Sequence, residues 1–157
     1  MLSLREARRD DVGLIRQLIY ELAEYEREPA SAKATEEDLV RDGFGERPYF
    51  RVLIAEWQGE PAGFALYFFN YSTWQGRPGL YLEDLFVRPA HRGRGIGTAL
   101  LRRLARIALD QGCSRFVWQV LDWNEPSIRF YESLGASIAK EWLTMRVDGE
   151  ALQELAE

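Results

Sequence analysis

The chain has one cysteine, Cys113, one histidine, His91, and two methionines in 157 residues. A lone cysteine closes no internal disulfide, and Cys113 with His91 falls short of the ligand set a zinc site needs. A protein-built metal centre is therefore not expected. No apolar run reaches the roughly 18 residues of a membrane-spanning helix. The opening residues, MLSLREARRDDVG, lack an apolar leader segment. The expectation is a soluble cytoplasmic protein with no membrane partner. Positive charge is in deficit too, with 20 Lys and Arg against 25 Asp and Glu and a net charge of −5. That balance is the reverse of a nucleic-acid binder's and favours a small cationic partner. Repeats, low-complexity tracts and linkers are also missing. At 46% hydrophobic residues, the chain has enough apolar material for one domain, residues 1–157, around one core.

Regular elements can be read from spacing and punctuation. Leu2 to Ala7 is a short strand. Asp10 or Asp11 can cap a helix whose stripe is Val12, Ile15, Leu18 or Ile19, Leu22 and Tyr25. Thr35 to Asp38 has the form of a capping box, opening a short helix that DGFG ends. Phe50–Trp57 and Ala62–Tyr71 are strands around the turn QGEP, a hairpin; Leu80–Val87 is the next strand. A helix runs from about Gly95 to Asp110, with Leu100, Leu104, Ile107 and Leu101, Ala105, Ala108 making a wide apolar face. Arg115–Leu121 is a strand. Asn124 can cap a helix reaching Leu134, with Pro126 in its first turn and Gly135 as its stop. Ser137–Val147 reads as a last long strand before a short helix. Strands and helices mix without strict alternation, which indicates an α/β fold with parallel and antiparallel strand pairs.

The densest signal is VRPAHRGRGIGTALLRRLA, Val87 to Ala105, with Gly93, Gly95 and Gly97 at every second position. Glycines let the backbone approach an oxyanion and take positive φ. A helix's first turn offers unpaired N–H groups and a partial positive charge. A strand, a glycine loop and a helix in that order make a phosphate cradle, with Arg92 and Arg94 at its rim. No Lys-Ser/Thr follows the last glycine, so this is no Walker loop, and the spacing is not that of the G-x-G-x-x-G dinucleotide fingerprint.

Arg92-Gly93-Arg94-Gly95-Ile96-Gly97 resembles the [R/Q]-x-x-G-x-[G/A] pyrophosphate loop of the GNAT acetyltransferase superfamily. WNEPSIRFYESLGA, Trp123 to Ala136, is similar to its second signature, Asn-x-x-[S/A]-x-x-[F/Y]-Tyr-x-x-x-Gly. The segments LIYELAEYE, DLVRDGFGE and LYLEDLFV extend the likeness to the diamine (polyamine) acetyltransferase group. The resemblance implies a GNAT fold, a central mixed twisted sheet flanked by helices, and acetyl-CoA as co-substrate. It also implies a homodimer.

Acetyl transfer to an amine needs a positioned thioester, a neutral amine, oxyanion stabilisation and a proton for the departing thiolate. The resemblance assigns backbone contacts to the cofactor at Leu85, Phe86 and Val87. It assigns the pyrophosphate to Arg92, Gly93, Arg94, Gly95, Ile96, Gly97 and Thr98. Asn124, Glu125, Pro126 and Ser127 are further cofactor contacts; helix capping is the other role open to Asn124. Tyr131, seven residues after Asn124, lies on nearly the same helical face. Its phenol can serve as a general acid; by sequence alone a core tyrosine is the favoured reading, and the resemblance at this position reverses that in favour of the acid. Glu83 and Asp84 stand mid-strand, where carboxylates are scarce, and alternation expects them on opposite faces. The resemblance places Glu83 at the substrate amine, with Tyr25 and Glu26 beside it. It also lines the substrate channel with Val117, Trp118 and Gln119; Trp74, Trp123 and Trp142 are candidate aromatic walls. Two positions depart from the polyamine pattern: Glu24 stands where a lysine is usual and Ser72 where an aspartate is usual. The activity implied is N-acetylation of a small polyamine-like or thialysine-like amine. A protein or peptide acetyltransferase, and a non-catalytic acetyl-CoA-binding module, are the alternatives.

Overall fold

A computed structural model describes all residues, Met1–Glu157. They form two compact units, Met1–Gln119 and Val120–Glu157. No helix is long and apolar enough to cross a membrane.

The first unit is built on a five-stranded sheet in the order β1 (Leu2–Glu6), β2 (Arg51–Trp57), β3 (Glu60–Ser72), β4 (Arg77–Val87) and β5 (Arg115–Trp118). Neighbours are antiparallel except β4 and β5, which run parallel. The mixed sheet expected from the sequence is thus present. Gln58 and Gly59 both take positive φ, 51° and 82°, the geometry that closes the β2–β3 hairpin in a two-residue turn.

Helices cover both faces. On one, α1 (Val12–Tyr25) and α2 (Glu36–Gly43) bury Ile15, Leu18, Leu22 and Leu39 against Val52, Ile54, Phe64, Leu66 and Phe86. The register brings Ile54, Phe64 and Phe86 into one row across three strands, as period-two alternation requires. On the other face α3 (Ile96–Asp110) packs Ile96, Leu100 and Leu104 against the strands. β3 lies between them, so Ala62 to Tyr67 is nearly continuously buried.

Caps follow the sequence unevenly. Thr35 Oγ1 accepts from the Asp38 amide at 3.1 Å, and the Asp38 carboxylate accepts from the Thr35 amide at 3.0 Å, a complete capping box. Asp11 precedes α1 but its side chain does not cap it. That carboxylate accepts instead from the Arg5 guanidinium at 2.8 and 2.9 Å and from the Arg8 amide at 2.7 Å. A charged, bidentate donor outcompetes a helix amide for the same oxygens.

In the second unit, α4 (Glu125–Ser133) is capped by Asn124, whose Oδ1 accepts from the Ser127 amide at 3.4 Å. Gly135 follows with φ 100°, and α5 (Gly149–Ala156) ends the chain. The strand expected over Ser137–Val147 does not form: residues 137 to 148 are irregular, with a turn at Lys140 and Glu141. The alternating apolar residues there suit a strand, but a strand exists only against a neighbour. Between Val120 and Glu157 no other extended segment offers one.

Candidate active site

Between β4 and α3 the chain makes one 3₁₀ turn, Pro89–His91, then the glycine loop. Gly93 and Gly95 adopt φ 79° and 76°, and a Cβ at either would point into open space. Gly95 is the N-cap of α3 and supplies no side-chain acceptor. The first-turn amides of α3 are therefore left for an external anion. Neither arginine of the loop is ion-paired. Arg92 Nε donates to the Val87 carbonyl at 2.9 Å, and its guanidinium lies 5.1 Å from the Tyr25 ring centroid and 5.6 Å from that of Phe86. Arg94 stands 3.0 Å from His91 Nδ1 and 5.0 Å from the Trp57 ring centroid. Aromatic faces hold both cations in place while leaving their charge uncompensated. Glycines at positive φ, uncapped amides and two unneutralised guanidinium groups are the chemistry a pyrophosphate requires.

The loop follows an open strand edge. β5 pairs with β4 only from Gly79 to Leu82, ending at Trp118. From Glu83 to Val87, β4 pairs with β3 alone. Every second backbone N–H and C=O there points away from β3 with no strand to receive it. Leu85 and Val87 thus belong to an edge on which an extended amide-bearing chain can be laid. Phe86 points into the α1-side core.

The splaying of β4 coincides with a bulge. Tyr67 pairs with Leu82 and Leu66 with Asp84, so Glu83 is the extra residue. The alternation expected for Glu83 and Asp84 fails at this point. The bulge reverses the facing of the strand and sends Asp84, with its partner Leu66 and with Phe86, to the α1 side. Glu26 follows the last residue of α1. Three carboxylates from two elements therefore interact. Burial first, then Glu83 and Glu26, push Asp84 up to about 7. Burial and Glu83 raise Glu26, and burial and Glu83 raise the Tyr81 phenol. None of the chain's ion pairs involves Glu26, Glu83 or Asp84. No set of His, Cys, Asp and Glu side chains converges closely enough to hold a metal ion. Glu26, Glu83 and Asp84 thus form an acidic site outside the chain's ion pairs. Its floor is anchored by Arg88, which donates from Nε and Nη2 to the Glu21 carboxylate at 3.0 and 2.9 Å and so ties α1 to the end of β4.

The channel residues divide. Val117 pairs with Tyr81, which pairs with Phe68, so it shares the α1-side face. Trp118 pairs with Leu82, on the α3 side, in tilted contact with Phe116 at 4.9 Å. Gln119 lies just past β5. Trp74 stands on the β3–β4 turn at 86% exposure. Ser72 is buried at the same turn, its Oγ accepting from the Gln75 amide at 3.2 Å. In the second unit, Asn124 to Ser127 form the N-terminus of α4, and Tyr131 lies in its last turns with its ring 5.5 Å from that of Phe130.

Sequence reasoning passed over Asp84. The Glu-Asp pair inside LYLEDLFV was visible, but a bulge depends on register with β3, and alternation hid which carboxylate turns inward.

A model of the Acetyltransferase (GNAT) family matches residues 14–136. A thialysine N-epsilon-acetyltransferase of Sus scrofa is 47% identical, covering 98% of this chain and 96% of its own. A spermidine/spermine N(1)-acetyltransferase-like protein 1 of Homo sapiens is 40% identical over 98% of this chain, which corresponds to 24% of that longer protein. An integron cassette protein from the mobile metagenome of V. cholerae superposes with a TM-score of 0.84 at 29% identity, covering 99% of this chain and 98% of its own.

Proposed function

Because the chain belongs to the acetyltransferase (GNAT) family, we propose that it moves the acetyl group of acetyl-CoA to a primary amine of a small polyamine-like or thialysine-like substrate, by direct attack of the amine on the thioester. The chain is an acetyltransferase; the amine is the part proposed. The observation that carries the choice is the cluster of Glu26, Glu83 and Asp84 without a cation among them. Relatives named for thialysine and for spermidine or spermine support it, since both kinds of substrate are amines.

When bound, acetyl-CoA supplies an activated acyl group. Gly93 to Thr98 offer backbone amides to its pyrophosphate, with Arg92 and Arg94 adding charge. Leu85 and Val87, with Phe86 between them in the strand, would offer the open edge of β4, and Asn124 to Ser127 the N-terminus of α4. Tyr131 Oη would be the general acid, the proton source for the thiol leaving group of the bound thioester. Glu83, Glu26 and Tyr25 hold the cationic substrate, and Val117, Trp118 and Gln119 bound its channel. The family match runs from residue 14 to 136 and so spans both compact units, which supports their working as one acetyltransferase domain. A single unpaired cysteine suits a reducing, cytoplasmic compartment. The exposed row Ile138, Trp142, Leu143, Met145 and Val147 supports a homodimer, since apolar surface of that kind is ordinarily covered.

The test is kcat/KM across spermidine, putrescine, thialysine, lysine and a lysine peptide, for the native chain and Glu83→Gln. Small diamines are expected to lead, and Glu83→Gln to raise KM for dications more than for monoamines. If the peptide leads and the substitution affects all substrates equally, the chain is a protein acetyltransferase.

A further inference from the structure

One carboxylate of the acidic cluster has no part in the chemistry above. Asp84 reaches the α1 side only because Glu83 is bulged out of the β3–β4 ladder. Its surroundings are one-sided. The charges that act on it are Glu83 from its own strand and Glu26 from just past the end of α1. Its partners across the sheet, Leu66 and beyond it Val52, are apolar. Arg92 is held over the Tyr25 and Phe86 rings and bonded to the Val87 carbonyl. Arg88 is bidentate on Glu21.

Three carboxylates that lack a cation do not all ionise at neutral pH, because each charge raises the cost of the next. The proton stays where desolvation is greatest. Glu83 is exposed and Glu26 and Asp84 are half-buried; of the two, Asp84 stands within the sheet, in one row with Leu66 and Val52, and burial is the leading cause of its raised pKa.

We propose that Asp84 holds a proton against Glu26 and Glu83 in the amine-free protein and releases it to solvent when a cationic amine enters, so that amine binding and proton release are linked. The inference rests on the amine-site reading given above. The step breaks the Asp84 O–H bond and delivers its proton to bulk water; the amine keeps its own proton at this stage. Burial and the two neighbouring carboxylates hold Asp84 at about 7, and an ammonium group set among them removes that repulsion. KM for the amine therefore falls as pH rises from about 6 to about 8, a range in which the amine itself stays protonated. Asp84 is thus a positioning residue whose charge is created by the substrate it helps to hold.

The test is calorimetry of thialysine binding to the coenzyme A-saturated protein, in two buffers of different ionisation enthalpy. The native chain is expected to release about one proton at pH ~6 and almost none at pH ~8. In Asp84→Asn, which keeps shape and removes the acid, release should be flat across that range. Flat release in the native chain, or a pH dependence that survives in Asp84→Asn, overturns the proposal. A second readout needs no amine. Infrared spectra of the amine-free native protein should show a protonated carboxyl band that disappears between pH ~6 and ~8.5 and is absent from Asp84→Asn. Absence of that band in the native chain also overturns the proposal. If the band titrates as expected while no amine of the panel binds, Asp84 holds its proton and the amine-site reading is what fails.

Discussion

Tyr131 and Asp84 are two residues at which changing one polar group separates chemistry from packing. Tyr131→Phe keeps the ring that lies 5.5 Å from Phe130 and deletes only the hydroxyl. Cofactor binding should persist while kcat falls roughly 100- to 10,000-fold, the usual contribution of a general acid. Steady-state kinetics at saturating substrates check this, and an unchanged kcat assigns Tyr131 to packing. At Asp84 the folded chain retains a proton, near pH 7, that the unfolded chain gives up near 3.8. The folded state is thus the better proton binder between those values, and stability falls as pH rises through that window. The penalty is complete above about pH 7 and absent below about pH 4, and with partial solvent access it is worth about 1–3 kcal/mol. Asp84→Asn should accordingly be more stable than the native chain at pH ~8, with the difference vanishing near pH ~4. Denaturant unfolding at the two pH values decides it; equal stability at pH ~8 would mean that Asp84 is ionised without cost.

At the scale of elements, the join of β4 to α3 is the proposed seat of coenzyme binding. Gly95 sits at φ 76° with open space where a Cβ would stand. In Gly95→Val a β-branched side chain faces a left-handed backbone costing about 1–2 kcal/mol and fills the approach to the first-turn amides. Acetyl-CoA affinity should drop by about ten- to a hundredfold, equivalent to roughly 1.4 to 2.8 kcal/mol. Calorimetry reports the affinity, and a thermal melt establishes that the fold persists; native affinity in a folded variant would exclude the loop as the cradle. This join was legible in the sequence because its chemistry is local: glycines, a helix start and a rim of arginine lie within twelve residues. So was the Thr35–Asp38 box, whose two hydrogen bonds close over three residues. The cap of α1 was not, since Asp11 is claimed by Arg5 from a neighbouring element. The bulge at Glu83 was also hidden, being a mismatch of register between β3 and β4 that neither strand contains alone.

For the whole molecule, the prediction concerns assembly. Trp142, Leu143 and Met145 are 66%, 84% and 91% exposed, and large apolar side chains so close in sequence are ordinarily covered. Sedimentation equilibrium should return twice the chain mass. Leu143→Glu with Met145→Glu should shift the chain toward monomer, since each buries a charge in the contact. A native chain that sediments as a monomer at micromolar concentration would rule the dimer out. The same stretch marks a limit of reading by pattern. Ser137 to Val147 has the alternation of a strand and forms none, because alternation reports a face to be covered while a ladder needs a neighbouring edge.

Spacing and motif alone were enough for the α/β class, the family, the glycine loop before α3, the cap of α4 by Asn124 and the position of Tyr131 in that helix. Each of these depends on residues close together in the chain, where backbone geometry fixes the spacing. That β4 parts from β5 after Leu82, that Arg92 rests on Tyr25 and Phe86, and that Asp84 shares the α1 side with Glu26 emerge from the packed fold. Those facts depend on strand register and on helices packed across a sheet, so they arise between segments that are distant in sequence and are set only when the core closes.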